Sequence, residues 1–358
     1  MTGHPLNAVR LALLGASLLL ACPAAAADDV ITLRIADSLP SGHFLYDAVT
    51  RPFIQAAEQA SNGRIKFRHF PAEQLGKSRD MLRLTQHGVM DIGYVVPSYQ
   101  PDKLPLSAVA ELPGSFGNDL CIGTHAFWNL TREGGFLRTQ EFDRHGVRPL
   151  AVFMMSGYNI ELSNGRHVAH LEDLRGLKIR TAGSAMDLLV SSLGAVPMHL
   201  SPGEIYESMA RGTIDGTILA HQSVVSYKLV ELLKSSTTDQ NLASVALTYS
   251  ISEKRWRELP PDVQRALQVA GEKITFEACQ NLGKREASVR ANVMSRGLKE
   301  IRLADEDQAK LQQVFAGVRR QWADIVNRQG KPGDAAVAAW NEAVREVTAE
   351  QAETADTP

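Results

Sequence analysis

The sequence predicts an α/β protein built as two similar lobes, with one long helix lying across both. Strand-like alternation and helix-like periodicity take turns along the first two thirds of the chain, the pattern of parallel sheets with crossover helices. One signature occurs twice. QHGVMDIGYVV at 86–96 and ARGTIDGTILA at 210–220 each read as a helix stopped by Gly, a short turn, an Asp, a Gly and an apolar strand. Their spacing is too long for a solenoid repeat, so each marks a lobe of its own. The third observation is a helical pattern that starts at Pro260-Pro261-Asp262 and runs with few breaks to about Ser295. Roughly 35 residues at 1.5 Å each give about 50 Å, enough to reach across both lobes.

Composition fits that picture. A chain of 358 residues exceeds one ordinary core, and two domains are expected. Apolar residues make up 44% and charged residues 22%, values of a globular chain without a disorder signature. A net charge of -2 with no basic patch or basic repeat argues against nucleic acid as a partner.

Residues 1–27 read as an export signal. Arg10 supplies a positive n-region, LALLGASLLLA an apolar h-region, and PAAAA small-residue cleavage sites that leave Ala27 or Asp28 as the new N-terminus. The apolar run is short for a membrane span, and nothing later approaches its length, so the mature chain is expected to be soluble and exported. LLLAC, ending at Cys22, fits a lipoprotein cleavage box only loosely, and the Ala run downstream is the better ordinary site. Removing the signal leaves Cys121 and Cys279. An oxidising compartment permits a bridge between them, and two buried free thiols are the alternative.

The first lobe opens with the alternating strand ITLRIA, followed by a helical segment from about His43 to Ser61 that stops at Asn62-Gly63 and is kinked by Pro52. RIKFRHFP is a second strand with Ile65 and Phe67 inward. Ser78 is placed to cap a helix through Gln86, Gly88 to end it, and DIGYVV follows as a strand. The second lobe repeats the series. LKIR is a strand, Ser184 with Asp187 a capping box for a helix to Leu193, and VPMHL the next strand. Ser201, Pro202 and Glu204 open a helix that Gly212 closes, and TILA is the strand after it. Beyond the long helix, LKEIRL is a short strand, Asp305 to about Arg328 a helix ended by Gly330, and Asp334 to Val347 a last helix. The expected division is 28–151 with about 241–285 for the first lobe, 152–240 with about 286–347 for the second, and 348–358 as a flexible tail.

Enzyme constellations are missing. The chain has no GxSxG elbow, no P-loop, no GxGxxG after a strand and no CxxC. His167 and His170 have a spacing that could suit a metal but no third ligand nearby, and read as a solvated polar loop. Asp91 and Asp215, paired by the repeat, follow helix ends and read as turn formers. No enzyme activity, cofactor or metal is expected. Arg180 stands apart because it ends the strand LKIR. Ligands of parallel α/β sheets sit beyond the carboxyl ends of strands, and a guanidinium there can grip a carboxylate with two parallel hydrogen bonds. A surface Arg pairing with Glu172 or Asp173 fits the spacing equally.

Taken together in order, FPAEQLGKSRDMLRLTQHGVMDIGYVVPSY, EDLRGLKIRTAG and LGAVPMHLSPGEIYESMARGTIDG resemble the periplasmic (DctP-type) solute-binding component of tripartite ATP-independent periplasmic (TRAP) transporters, over nearly the whole mature chain. The resemblance implies a two-lobed periplasmic-binding-protein-like fold that closes on a small organic acid and delivers it to a TRAP membrane permease. It implies that Arg180 is the carboxylate anchor. Where many members carry a second arginine, this chain has Asn159, within MSGYNIELSNG; where sialic-acid binders carry Asn, it has Leu219. Both departures argue against a sialic-acid site. Tyr158, Asn159, His221 and Gln222 near the same rim, and His43 after the first strand, are candidate contacts, with structural roles equally open. Ser98 and Tyr99 are candidate donors from the first lobe. A C4-dicarboxylate, an aromatic carboxylate and a 2-oxo acid all fit these residues. A monomer is the default, and closure is expected to pivot around Ala151–Met155 and residues 240–250. The alternative is a periplasmic protein that presents its ligand to a sensor kinase.

Overall fold

The computed structural model describes residues 29–155, 157–163, 168–237 and 240–355. The export signal, Cys22 and His167 lie outside them. Among the described residues no helix is long and apolar enough to cross a membrane.

The first lobe is laid down as β1 (Ile31–Ala36), α1 (Arg51–Ala60), β2 (Ile65–Phe70), α2 (Met81–Gln86), β3 (Ile92–Val95), α3 (Leu120–Thr131) and β4 (Val147–Met155). The chain then enters the second lobe as β5 (Asn159–Leu162), β6 (Lys178–Thr181), α4 (Ser184–Ser192), β7 (Val196–His199), α5 (Ile205–Ala210), β8 (Gly216–Leu219), α6 (His221–Ser226) and β9 (Ser235–Thr237). It returns with β10 (Val245–Ser252), α7 (Glu253–Glu258) and α8 (Pro261–Ser295), and finishes with β11 (Lys299–Ile301), α9 (Asp305–Arg328) and α10 (Gly333–Ala355).

The two sheets share one plan. Their orders are β2-β1-β3-β10-β4 and, read from the matching edge, β7-β6-β8-β5-β9-β11. In each, the second strand pairs in parallel with two neighbours, and the fourth strand is antiparallel and has just crossed from the other lobe. The repeated aspartate does the same job in both. Asp91 gives its N–H to Arg34 O and accepts Arg34 N at 2.7 Å on its carboxylate; Asp215 does likewise with Lys178 O and Lys178 N, at 2.9 Å for the latter. Each Asp thus pins the start of one parallel strand to the next. Counting from these pins, Arg180 in the second lobe matches Ala36 in the first, at the carboxyl end of that second strand.

The crossings are bound to each other. Gly157, at a positive φ of 71°, gives its N–H to Asn241 Oδ1 at 3.4 Å, and Leu242 N reaches Tyr158 O at 3.1 Å. Ala151–Met155, expected to act in the pivot, is paired in the first sheet throughout, and the chain changes lobes just beyond it. Helix α8 spans both lobes, packing on α1, α3 and β4 of the first and on α6 of the second. Gly271 makes that approach possible, because a Cβ there would meet Leu150 O at 1.8 Å. A disulfide joins Cys121 at the start of α3 to Cys279 in α8.

Several local expectations are corrected. Around Pro52 the helix is not simply kinked. Pro52 has no N–H to offer, and the preceding turn, Tyr46–Thr50, widens to π geometry with Arg51 N reaching back to Tyr46 O. Ser78 does not cap α2; a 3-10 turn at Ser78–Asp80 precedes it, and Ser78 N is held by Glu73 Oε1 at 2.8 Å. Ser184 and Asp187 form no capping box, since Gly183 is the N-cap and Asp187 accepts from Thr181 Oγ1 instead. The capping box of Ser201 and Glu204 is present. Helix α10 runs past Val347 to Ala355, so most of the expected tail is helical. It packs on α3 of the first lobe and on α9, which in turn packs on α4 of the second, and Trp340 Nε1 donates to Ser115 O at 3.1 Å.

Candidate functional site

Just beyond β6 the lobes touch, Gly183 against Ser98, and Arg180 lies at this seam beside Tyr99 of the first lobe. It is 2% exposed. Its Nε donates to Leu200 O at 2.9 Å, while Nη2 is buried with no hydrogen-bond partner among the described residues. A buried cation without a counter-charge is costly, so this nitrogen marks a place for an anion.

Tyrosines surround it. Tyr99 comes from the turn after β3, Tyr158 from the β4–β5 crossing and Tyr227 from the end of α6. Burial raises the pKa of all three phenols, and the nearby Arg180 charge works against that rise. Their hydroxyls therefore stay protonated and can donate. His43 joins them from the first lobe, its ring 5.2 Å from that of Tyr227 and 4.6 Å from that of Phe44. Burial lowers its pKa to about 3, so the imidazole is neutral. The pocket thus holds one fixed positive charge, a set of neutral donors and several aromatic faces.

Ser98 lies in the same seam and donates to Glu111 Oε1 at 2.8 Å. Its backbone touches the second lobe at Gly183, where a Cβ would stand 2.5 Å from Ser98 Cβ. Glu111 also accepts Ala246 N at 3.0 Å from the returning strand, and burial lifts its pKa to about 7. The native carboxyl thus keeps its proton above the unfolded value of 4.5, so its contribution to stability is complete below 4.5 and is lost as pH rises through about 7. Glu111→Gln keeps the acceptor and cannot ionise. Its melting temperature is expected to gain on wild type from pH 5 to pH 8, by the equivalent of at most about 3 kcal/mol. A gap independent of pH in calorimetric scans would refute this.

Asn159, His221 and Gln222 are gathered elsewhere. They line a cleft of about 810 Å³ at the hinge, beside α8 and the disulfide. Asn159 Nδ2 donates to Gly157 O at 3.0 Å, and Gln222 Nε2 to Leu282 O at 3.0 Å and Glu286 Oε2 at 3.1 Å. His221 Nε2 is 3.2 Å from Ser236 Oγ, and Glu286 Oε1 lies 3.3 Å from its Nδ1 without hydrogen-bond alignment. Burial alone would lower the pKa of His221, but Glu286 and Glu161 outweigh it and raise the value. Glu161 is itself pushed up to about 8 by burial. Register places Glu161, Thr217 and Arg180 in one row on the second sheet, with one strand, β8, and so two strand spacings between the acid and the arginine. At strand spacing that is about 10 Å, so the hinge cluster and the arginine pocket are separate places.

Sequence reading missed Tyr227 and Gly183. Nothing local marks Tyr227, whereas Gly183 stands in the quoted LKIRTAG. His170 Nδ1 is 2.9 Å from Asp307 Oδ2, and the residue caps the turn Leu171–Leu174.

Comparison with known proteins gives a consistent picture. Residues 35–326 match the family model described as DctP, bacterial extracellular solute-binding protein, family 7. The chain is 27% identical over 330 residues to the C4-dicarboxylate-binding periplasmic protein DctP of Rhodobacter capsulatus, covering 89% of this chain and 94% of that one. A TRAP solute-binding protein from Rhodoferax ferrireducens, solved with copurified benzoate, superposes with a TM-score of 0.82 at 21% identity, covering 90% of this chain and 100% of that one. A marine metagenome TRAP solute-binding protein specific for aromatic acid ligands, solved with 3-hydroxybenzoate, gives 0.82 at 21% identity, covering 89% and 99%.

Proposed function

We propose that this chain, which belongs to the DctP family of bacterial extracellular solute-binding proteins and is a TRAP-type receptor and not an enzyme, binds a small ring-bearing monocarboxylate in the periplasm and hands it to a TRAP permease. The observation that carries the reading is the buried Arg180 guanidinium with an unpartnered Nη2, walled by Tyr99, Tyr158 and Tyr227. One cation matches one carboxylate. His43, the nitrogen base beside Tyr227, is neutral, and so it offers a second carboxylate no fixed charge. Phenol rings offer flat apolar faces to a ring and hydroxyl donors to the free carboxylate oxygens. The benzoate and 3-hydroxybenzoate of the two similar structures have this chemistry. The dicarboxylate named for the Rhodobacter relative does not, and Asn159, where many family members carry a second arginine, supplies no second charge.

Closure requires a ligand that prefers the closed state. Shifting a closed population from about 1% to 99% takes roughly 5.5 kcal/mol, more than one arginine pair contributes, so ring burial and the tyrosine donors must supply the rest. A thermal-shift panel of carboxylates tests the reading. A ligand at 100 times its Kd adds about 2.7 kcal/mol, a shift of several degrees at this size. Ring monocarboxylates are expected to give it and succinate or malate to give less. A shift confined to dicarboxylates would refute the ligand class.

A further inference from the structure

We propose that His43 sets ligand specificity within the arginine pocket: its Nε2–H donates to an oxygen acceptor that the ligand carries in addition to its carboxylate, so the preferred ligands are hydroxy- or oxo-substituted ring acids. This rests on the reading of Arg180 as the carboxylate anchor. The tautomer follows from the backbone. Leu45 N donates to His43 Nδ1 at 3.3 Å, which makes Nδ1 the acceptor and leaves the proton on Nε2. That N–H is buried and has no partner among the described residues. The side chain is 2% exposed, so water cannot serve as a routine substitute.

Position adds the second part. The ring lies 5.2 Å from that of Tyr227, the same tyrosine that feels the Arg180 charge, so Tyr227 links the donor of one lobe to the guanidinium of the other. Arg180 Nη2 and His43 Nε2 are both buried without a hydrogen-bond partner among the described residues, and both belong to residues beside Tyr227. Both are donors. Burial keeps the imidazole neutral, with its pKa lowered to about 3, so it offers one directed hydrogen bond and no charge. A site built to hydrogen-bond a substrate oxygen discriminates strongly against the analogue that lacks it, because the buried donor is then left unpaired.

The test compares benzoate, 3-methylbenzoate, 3-hydroxybenzoate and 3-methoxybenzoate, with the 4-substituted isomers, by titration calorimetry on the full mature chain. Methyl matches hydroxyl in size and has no acceptor; methoxy accepts and cannot donate. In wild type at least one oxygen-bearing isomer is expected to bind about tenfold or more tightly than its methyl counterpart. In His43→Phe, which keeps the ring packing on Tyr227 and Phe44, that ratio is expected to fall to near one. His43→Gln, which keeps a donor, is expected to retain part of the preference. A wild-type ratio of one overturns the proposal and leaves the monocarboxylate reading intact, as does a ratio that survives in a folded His43→Phe. A loss of all affinity in His43→Phe together with retention of the preference in His43→Gln supports it. Absence of binding by any ring acid overturns both readings.

Discussion

Arg180→Ala is expected to weaken binding of the physiological acid by at least about 100-fold, with the melting temperature of the unliganded protein unchanged within a degree or two. A guanidinium that meets a carboxylate through two charge-assisted hydrogen bonds contributes about 1.5–3 kcal/mol for each, and the buried setting excludes water that could take over. Nε is engaged by Leu200 O at 2.9 Å and the guanidinium shares a hydrogen bond with Tyr99, while Nη2 has no hydrogen-bond partner among the described residues and can meet an anion. Arg180→Lys keeps the charge but loses both the planar fork and the fixed Nε contact, so an intermediate loss of roughly tenfold is expected. Calorimetric titration of the three proteins with one ring acid decides it. Equal affinities in wild type and Arg180→Ala would place the anchor elsewhere.

Gly183→Ala tests closure without touching the ligand. Gly183 has extended backbone angles that alanine also adopts, so the variant should fold. In the closed arrangement its Cβ would stand 2.5 Å from Ser98 Cβ and 3.0 Å from Ser98 Cα and O, across the seam between lobes. Part of that overlap is with backbone and cannot be relieved by a rotamer change. The lobes must stop short, and the contacts made only on closure are lost. Affinity is expected to fall about 10- to 100-fold, and small-angle scattering should show no compaction on adding ligand. Adding Ser98→Gly removes the closest contact and should restore affinity in part. Wild-type affinity in Gly183→Ala would show that the seam at Ser98 is not part of the bound state.

Much of this was legible in the chain. The repeated Gly-turn-Asp-Gly step exposed two lobes because both copies pin neighbouring parallel strands with the same carboxylate, as Asp91 and Asp215 do. The long helix α8 was legible from its uninterrupted pattern. Arg180 stood out because a strand end is where such sheets meet ligands. Other features depend on contacts distant in sequence. The strand exchange, in which β10 inserts between β3 and β4 while β5 inserts between β8 and β9, leaves no local pattern. Tyr227 looks like any residue after a short helix until the lobes close on it. Asn159, His221 and Gln222 fall near Arg180 in a linear reading, yet strand register carries them to the hinge. Caps failed where another group intervened: the Thr181 hydroxyl donates to Asp187, and Gly183 occupies the N-cap because the other lobe leaves no room for a side chain.

The central claim is that a single buried charge reads a single carboxylate. The most direct measurement is calorimetric titration of the mature protein with a ring acid and with its uncharged carboxamide, identical in shape. Benzoate and benzamide are the simplest pair, followed by the best-binding substituted acid and its amide. The account predicts that the acid binds at least about 100-fold more tightly and that this ratio collapses in Arg180→Ala. Comparable affinity for acid and amide in wild type would contradict it, because a pocket indifferent to the ligand's charge cannot be organised around Arg180.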